Sequence, residues 1–198
     1  RIIVVIGYKH EIVKQQLKEE KVEFVLQEPQ QGTGHALQQV ERFLSKEGID
    51  LLVLAGDMPF ISPATLNALL KTHKEQQADA TILTAHFPGP TGYGRIIRNE
   101  EGNIEQIIEE RDASEEIKKI TEVNTSIYLF RSPLIFHILK QIKTNNAQKE
   151  LYLTDAIKIL AEQGKKVTSY TLSSPSEVYG INTPEELAEA ERKLEERD

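Results

Sequence analysis

Hydrophobic and polar positions along this chain switch repeatedly between a strand-like and a helix-like period. Ile2–Ile6 is an unbroken run of β-branched residues, fit for a strand buried on both faces. His10–Glu20 is mostly polar but carries Ile12, Val13 and Leu17 at helical spacing. Val22–Leu26 reads as a second strand, and Gly34–Leu44 as a helix whose Ala36, Leu37, Val40, Phe43 and Leu44 share one face. Leu51–Ala55 is a third strand and ends at Gly56-Asp57. Ser62-Pro63 opens the next helix as N-cap and first helical residue, and Thr81–Ala85 is a further strand.

The pattern then changes. Arg95–Arg98 and Ile104–Glu109 alternate around Asn99-Glu100-Glu101-Gly102-Asn103, which predicts a β-hairpin. Val123–Phe130 returns to a buried strand. Ser132-Pro133 predicts another capped helix start, Tyr152–Gln163 a helix, Val167–Leu172 a strand, and Thr183-Pro184-Glu185-Glu186 the opening of a charged helix that runs to Asp198. Strands that alternate with helices in this way indicate an α/β layered fold. The inserted hairpin adds a small lobe to a single domain spanning 1–198.

Composition narrows the function. With 198 residues and 39% hydrophobic content, the chain supports one well-buried core. A net charge of -7 argues against a general binder of nucleic-acid backbones, and its longest apolar runs are far below the ~20 residues that span a bilayer. There is no cysteine, hence no thiolate metal site and no cysteine nucleophile, and no secretory signal is visible; a cytoplasmic protein is expected. The only methionine is Met58, and the first strand begins almost at once, so the chain is read as lacking an N-terminal segment.

Ligands of open α/β sheets bind beyond the carboxyl ends of the strands, and polar clusters fall there repeatedly. After Val22–Leu26 comes Gln27-Glu28-Pro29-Gln30-Gln31-Gly32-Thr33-Gly34-His35, with glycines that let backbone approach a ligand and uncharged groups that suit a base edge or a sugar hydroxyl. A glycine-rich turn before a helix explains the same stretch. Asp57 ends a strand beside glycine, as a Mg²⁺ ligand or as a turn residue. Pro90-Thr91-Gly92-Tyr93-Gly94-Arg95 is a tight connection beside a ligand, or a hairpin entry. Glu109 and Asn124 suit sugar hydroxyls, although each alone reads first as a surface residue. Asn145–Asp155 is dense in polar groups, as ordinary loops also are. Asn182 is either part of a helix cap or a contact to metal and phosphate.

Taken in order, these segments resemble the sugar-1-phosphate nucleotidyltransferase family, and within it the N-terminal uridyltransferase domains of the bifunctional N-acetylglucosamine-1-phosphate uridyltransferase/glucosamine-1-phosphate acetyltransferases. Gly56-Asp57 followed by proline two residues on is shared widely. Thr91-Gly92-Tyr93-Gly94-Arg95 and Asn145-Asn146-Ala147-Gln148 with Tyr152-Leu153-Thr154-Asp155 are more specific. The resemblance implies a Rossmann-like nucleotidyltransferase fold with a mostly parallel mixed sheet and a small β-hairpin lobe. It implies that Gln27, Gln30, Gly32 and Thr33 read the uracil and ribose of UTP, that Asp57 and Asn182 hold Mg²⁺ at the catalytic centre, and that Gly94, Glu109, Asn124, Tyr152 and Thr154 line the pocket for N-acetylglucosamine-1-phosphate. The implied product is UDP-N-acetylglucosamine, a cell-wall precursor, released with pyrophosphate, and the implied parent is a homotrimer built by a β-helical domain. Another sugar-1-phosphate and a non-catalytic UDP-sugar binder are the competing readings.

This sequence departs from that family at several points. Ser126 and Lys149 stand where glycine is usual, Leu151 where an aromatic is usual, and Ala55 where tyrosine is common. The family's first strand and its glycine-rich loop with Arg and Lys are not in the chain. That strand is expected between Ile2–Ile6 and Leu51–Ala55, so its loss leaves two facing rows of unpaired backbone groups.

Overall fold

The computed structural model describes residues 1–44 and 48–195. The elements follow as β1 (Ile3–Ile6), α1 (His10–Gln16), β2 (Glu23–Leu26), α2 (Thr33–Gln38), β3 (Asp50–Val53), α3 (Pro63–Glu75), β4 (Ala80–His86), β5 (Arg95–Arg98), β6 (Ile104–Ile108), β7 (Glu122–Arg131), α4 (Leu134–Leu139), α5 (Asp155–Glu162), β8 (Val167–Thr171) and α6 (Pro184–Glu195). Each expected strand is present. The expected helix over 185–198 is described as far as Glu195, and its last three positions lie outside the described residues.

Six strands form one sheet in the order β6-β5-β7-β4-β8, with β3 also on β7, while β1 and β2 make a separate parallel pair. The expectation of a mostly parallel sheet is corrected here. Only β4–β8 is parallel within the large sheet; β3, β4 and β5 all run against β7, and β5 runs against β6. The parallel sheet is what the resemblance implies; the apolar run of β7 encodes burial on two faces and leaves direction open. Among the described residues β1 pairs only with β2, and β3 only with β7.

Period-2 alternation divides β4 and β7 between two cores. Ile82, Tyr128 and Phe130 face a cluster with Ile135, Leu139, Ile157 and Leu160 of α4 and α5. Leu83, Ile127 and Leu129 face Leu69 of α3 with Leu172 and Val178. The chain is therefore a helix–sheet–helix sandwich. Fully burying one such large aliphatic side chain contributes ~1.5–3 kcal/mol, so these faces hold the sheet on which the loops are mounted.

Local chemistry sets the starts of α3 and α6. Ser62 caps α3 by accepting from Thr65 N at 3.1 Å. Thr183 and Glu186 form a reciprocal capping box, Glu186 N to Thr183 Oγ1 at 3.2 Å and Thr183 N to Glu186 Oε2 at 3.0 Å. Ser132 does not act as the expected cap: Pro133 holds the position before α4, and Ser132 N instead extends the strand ladder to Ile49 O at 2.9 Å. α5 begins at Asp155 and not at Tyr152, because Leu153 N is committed to Thr33 Oγ1 at 3.0 Å across the molecule. α2 likewise stops at Gln38 and a short 3₁₀ turn, Glu41–Phe43, follows.

Candidate functional site

The loop after β2 is joined to the segment before α5. Gly34 N donates to Leu151 O at 2.7 Å and Leu151 N to Gln31 O at 2.8 Å. Gly32 sits at φ +100°, and a Cβ there would lie 2.7 Å from Leu151 O, so glycine is required by both conformation and close approach. Gln27 is 8% exposed, and its Nε2 donates to Gly32 O at 2.9 Å and meets His35 Nδ1 at 3.2 Å. The Gln30 amide lies over Gly7, where any Cβ would collide with it. Gln27, Gln30, Gly7 and His10 share a cleft of about 410 Å³ at the carboxyl ends of β1 and β2. The Thr33 oxygen is already an acceptor, for Leu153 N.

The second group centres on Glu109, just past β6. Thr154 is buried, and its hydroxyl donates to Glu109 Oε1 at 3.0 Å. Gly94 lies so close that a Cβ would stand 3.0 Å from Ile107 Cγ2 and 3.3 Å from Glu109 Oε2. Gly94 O accepts from Asn124 N at 2.9 Å, and the buried Asn124 side chain donates to Tyr128 Oη at 2.7 Å. Tyr152 donates to Gln148 Oε1 at 2.9 Å. Burial pushes the Glu109 carboxyl up; the hydroxyl of Thr154 opposes this, and the Asp112 and Asp155 carboxylates add to it. Burial also pushes up Asp155, against the pull of Lys158, and raises Tyr128 far above the ordinary phenol range.

Asn124 reaches this group through a bulge. The β4–β7 register moves from Ile82↔Tyr128 to Thr84↔Asn124, and Ser126 sits in the bulge at φ +59°. The Asn124 side-chain oxygen accepts from Ser126 N at 3.1 Å. Lys149, at φ +56°, turns the polar segment before α5. The left-handed region costs an L-residue about 1–2 kcal/mol. The two positions where this chain departs from a family glycine are thus both left-handed.

The third group is the pair Asp57 and Asn182. Ile181 N donates to Asp57 O at 2.9 Å, which ties the loop after β3 to the loop before α6. Between the two side chains lies Gly180: a Cβ there would stand 3.5 Å from Asp57 Oδ2 and 3.6 Å from Asn182 Nδ2. The helix cap is Thr183, which leaves the Asn182 side chain with only a long 3.5 Å contact to Gly180 O. A carboxylate and an amide oxygen facing an open side are the hard donor set that suits Mg²⁺ together with phosphate oxygens. Among the described residues no group of three or more His, Asp or Glu side chains is placed to hold a metal unaided.

Tyr93-Gly94 bridges the second and third groups. The Tyr93 hydroxyl donates to Val178 O at 3.4 Å, its ring stacks on Phe87 at 4.9 Å, and the next residue carries the close approach to Glu109. Burial raises the Tyr93 phenol above its ordinary value, against its backbone bond at Gly180. Through Leu151–Thr154 the first group joins the second. No hydrogen bond links Gln27 or Gln30 directly to Asp57 or Asn182 among the described residues. A larger cleft of about 670 Å³, lined by Asn99, Gln106, Lys158 and Lys165, shares none of these residues. The reading of the sequence missed His35, Tyr93 and Tyr128 as parts of the site. It also missed the buried Arg95–Glu110 ion pair at 2.8 Å behind it. Adjacency of Arg95 to Gly94 and of Glu110 to Glu109 was the one available signal.

Residues 1–196 match the model of the nucleotidyl transferase family. The chain is 43% identical over 196 residues to the bifunctional protein GlmU of Syntrophomonas wolfei, covering 99% of this chain and 43% of that protein. It is 46% identical over 197 residues to the GlmU of Brevibacillus brevis, with 99% and 42% covered. Over 197 residues it is 40% identical to that of Bacillus subtilis, with 100% and 43% covered. The chain thus spans less than half the length of these relatives. Its fold is similar to a UDP-glucose pyrophosphorylase complexed with UDP-glucose, with TM-score 0.68, 19% identity, and 100% of this chain and 82% of that one covered. It is also similar to a putative glucose-1-phosphate thymidylyltransferase from Bacillus anthracis, with TM-score 0.65, 24% identity, and 87% and 68% covered. These likenesses establish the Rossmann-like nucleotidyltransferase fold.

Proposed function

The chain belongs to the nucleotidyl transferase family, and we propose from that premise that it carries the uridylyl-transfer site of an enzyme making UDP-N-acetylglucosamine from UTP and N-acetylglucosamine-1-phosphate. The observation that carries this reading is the Tyr93-Gly94 bridge: the Tyr93 hydroxyl bonds Val178 O in the segment that leads to Gly180 and Asn182, and Gly94 packs against Glu109 of the Glu109–Thr154 group. A phosphate-facing pair next to a hydroxyl-binding group is what joining a nucleotide to a sugar phosphate requires. Among the described residues no helix is long and apolar enough to cross a membrane.

In this reading Gln27, Gln30, Gly32 and Thr33 hold the uridine. Gly94, Glu109, Asn124, Tyr152 and Thr154 hold the sugar phosphate. Glu109 accepts from a sugar hydroxyl with one oxygen while Thr154 fixes the other. Desolvation makes such an acceptor strong when ionised. A sugar-phosphate oxygen attacks the α-phosphorus of UTP, and the bond to pyrophosphate breaks as the new P–O bond forms. Positioning in line supplies most of the acceleration. Asp57 and Asn182 would hold Mg²⁺, which would offset phosphate charge.

Pyrophosphate release tests the reading. With the family's N-terminal strand and glycine-rich loop joined to this chain, UTP with N-acetylglucosamine-1-phosphate is expected to outpace other nucleotide and sugar-phosphate pairs, with a requirement for Mg²⁺. Asp57→Asn, at an exposed loop position, is expected to lower kcat about 10²–10³-fold with little change in Tm. Preference for another sugar phosphate would move the substrate assignment. Full turnover in Asp57→Asn would remove the metal role.

A further inference from the structure

The Gln27 amide is held by two neighbours whose chemistry fixes which way it points. Gly32 O can only accept, so the Gln27 atom 2.9 Å from it is the nitrogen. An amide nitrogen carries two hydrogens and no usable lone pair. With one hydrogen committed to Gly32, the other meets His35 Nδ1 at 3.2 Å, so Nδ1 is the unprotonated ring nitrogen. The neutral ring then carries its proton on Nε2, where Gln39 Nε2 lies at 2.9 Å. Two donors cannot share that contact, so this tautomer requires the Gln39 amide to turn over and accept, giving up its 3.3 Å bond to the His35 carbonyl. Gln27 is the better anchored of the two, being 8% exposed and tied by its own backbone N to Ile6 O at 2.8 Å.

With Nε2 saturated, the only hydrogen-bonding atom left on the Gln27 side chain is Oε1, and Gln27 lines the cleft at the carboxyl ends of β1 and β2. We propose that His35 is a positioning residue for nucleobase specificity: by accepting from Gln27 it leaves the cleft an acceptor-only group. An acceptor selects a pyrimidine whose ring N3 carries hydrogen, as in uracil, over one whose N3 is a lone pair, as in cytosine. Without His35 the amide has only Gly32 O to hold its nitrogen, so one contact instead of two fixes which end meets the base, and a turned amide presents its donor in place of its acceptor. Discrimination built on an unmatched polar atom then relaxes. The inference rests on the uridylyl-transfer reading for its substrate, but not for the state of the ring.

Two variants separate orientation from bulk. His35→Asn places an amide oxygen where Nδ1 stood and is expected to keep the wild-type ratio of kcat/KM for UTP over CTP. His35→Leu is expected to lower that ratio about tenfold, the size of one net hydrogen bond. A merely structural role would lower both rates together and leave the ratio unchanged, and an unchanged ratio in His35→Leu overturns the proposal. The ring itself is read by ¹⁵N–¹H correlation spectroscopy of the wild-type chain without nucleotide, near pH ~8, where an ordinary imidazole is neutral. The Nε2–H tautomer is expected, and the Nδ1–H tautomer overturns the proposal even where His35→Leu fails to fold. A wild-type chain with the Nε2–H tautomer but no preference for UTP would refute the substrate reading and leave the His35–Gln27 geometry standing.

Discussion

Replacing Arg95 by Met removes a guanidinium that is 2% exposed and keeps most of its volume. Its Nη2 lies 2.8 Å from Glu110 Oε2 and also donates to Lys118 O at 3.3 Å, and its Nη1 donates to Tyr93 O. The bonds to the two carbonyls are worth about 1 kcal/mol each. Breaking one side of a buried pair costs about 3–5 kcal/mol; the Glu110 side chain is 26% exposed, although its Oε2, the atom that faces Arg95, is buried. Arg95 Nε has no hydrogen-bond partner among the described residues, so its removal relieves a desolvation cost. The expected loss is therefore near the lower end, about 3 kcal/mol. For a chain of this size that lowers Tm by roughly 6–12 °C. Chemical denaturation of Arg95→Met, Glu110→Leu and the double variant is the assay. The double variant is expected to lose about 1–2 kcal/mol less than the sum of the singles, because each single strands the other's partner. A loss below about 1 kcal/mol in Arg95→Met, or strict additivity, would refute the reasoning that the pair acts as one unit.

Two further outcomes follow from the geometry. Glu109→Gln keeps an oxygen for the Thr154 hydroxyl but removes the buried charge. Because the folded-state carboxyl is raised, its ionisation opposes folding above the ordinary carboxylate range, and that cost is absent once pH falls below the unfolded value. The variant should thus match wild-type stability in acid and exceed it near neutrality, while kcat/KM for the sugar phosphate falls about tenfold or more; a pH series of melting curves that stay parallel would contradict the assignment. Ser126→Gly and Lys149→Gly relieve left-handed backbone at the cost of unfolded-state entropy and should each stabilise by about 0.5–1 kcal/mol, measured by urea unfolding.

The site was legible in the sequence where chemistry repeats at strand ends. Gly32 shows why: the sequence marks a glycine after a strand, and the structure adds that Leu151 O, 119 positions along, leaves no room for a Cβ. Asn182 shows the limit. Local pattern favoured a helix cap, and only the pairing of Ile181 with Asp57 sets its side chain beside a carboxylate from another loop. The direction of β7 was illegible for a related reason. Its apolar run encodes burial on both faces, whereas direction depends on which strands arrive at its edges.

Local physics therefore determined the elements, their caps and the residue types at the loops: apolar period selects strand or helix, Ser62 and Thr183 begin helices by their own hydroxyls, and glycine marks tight approach. Tertiary structure alone decided the mostly antiparallel pairing of the large sheet, the left-handed conformation of Ser126 and Lys149, and the joining of Gln27, Glu109 and Asp57 to their neighbours. Those features depend on contacts between residues far apart in the chain, whose energies no local window contains.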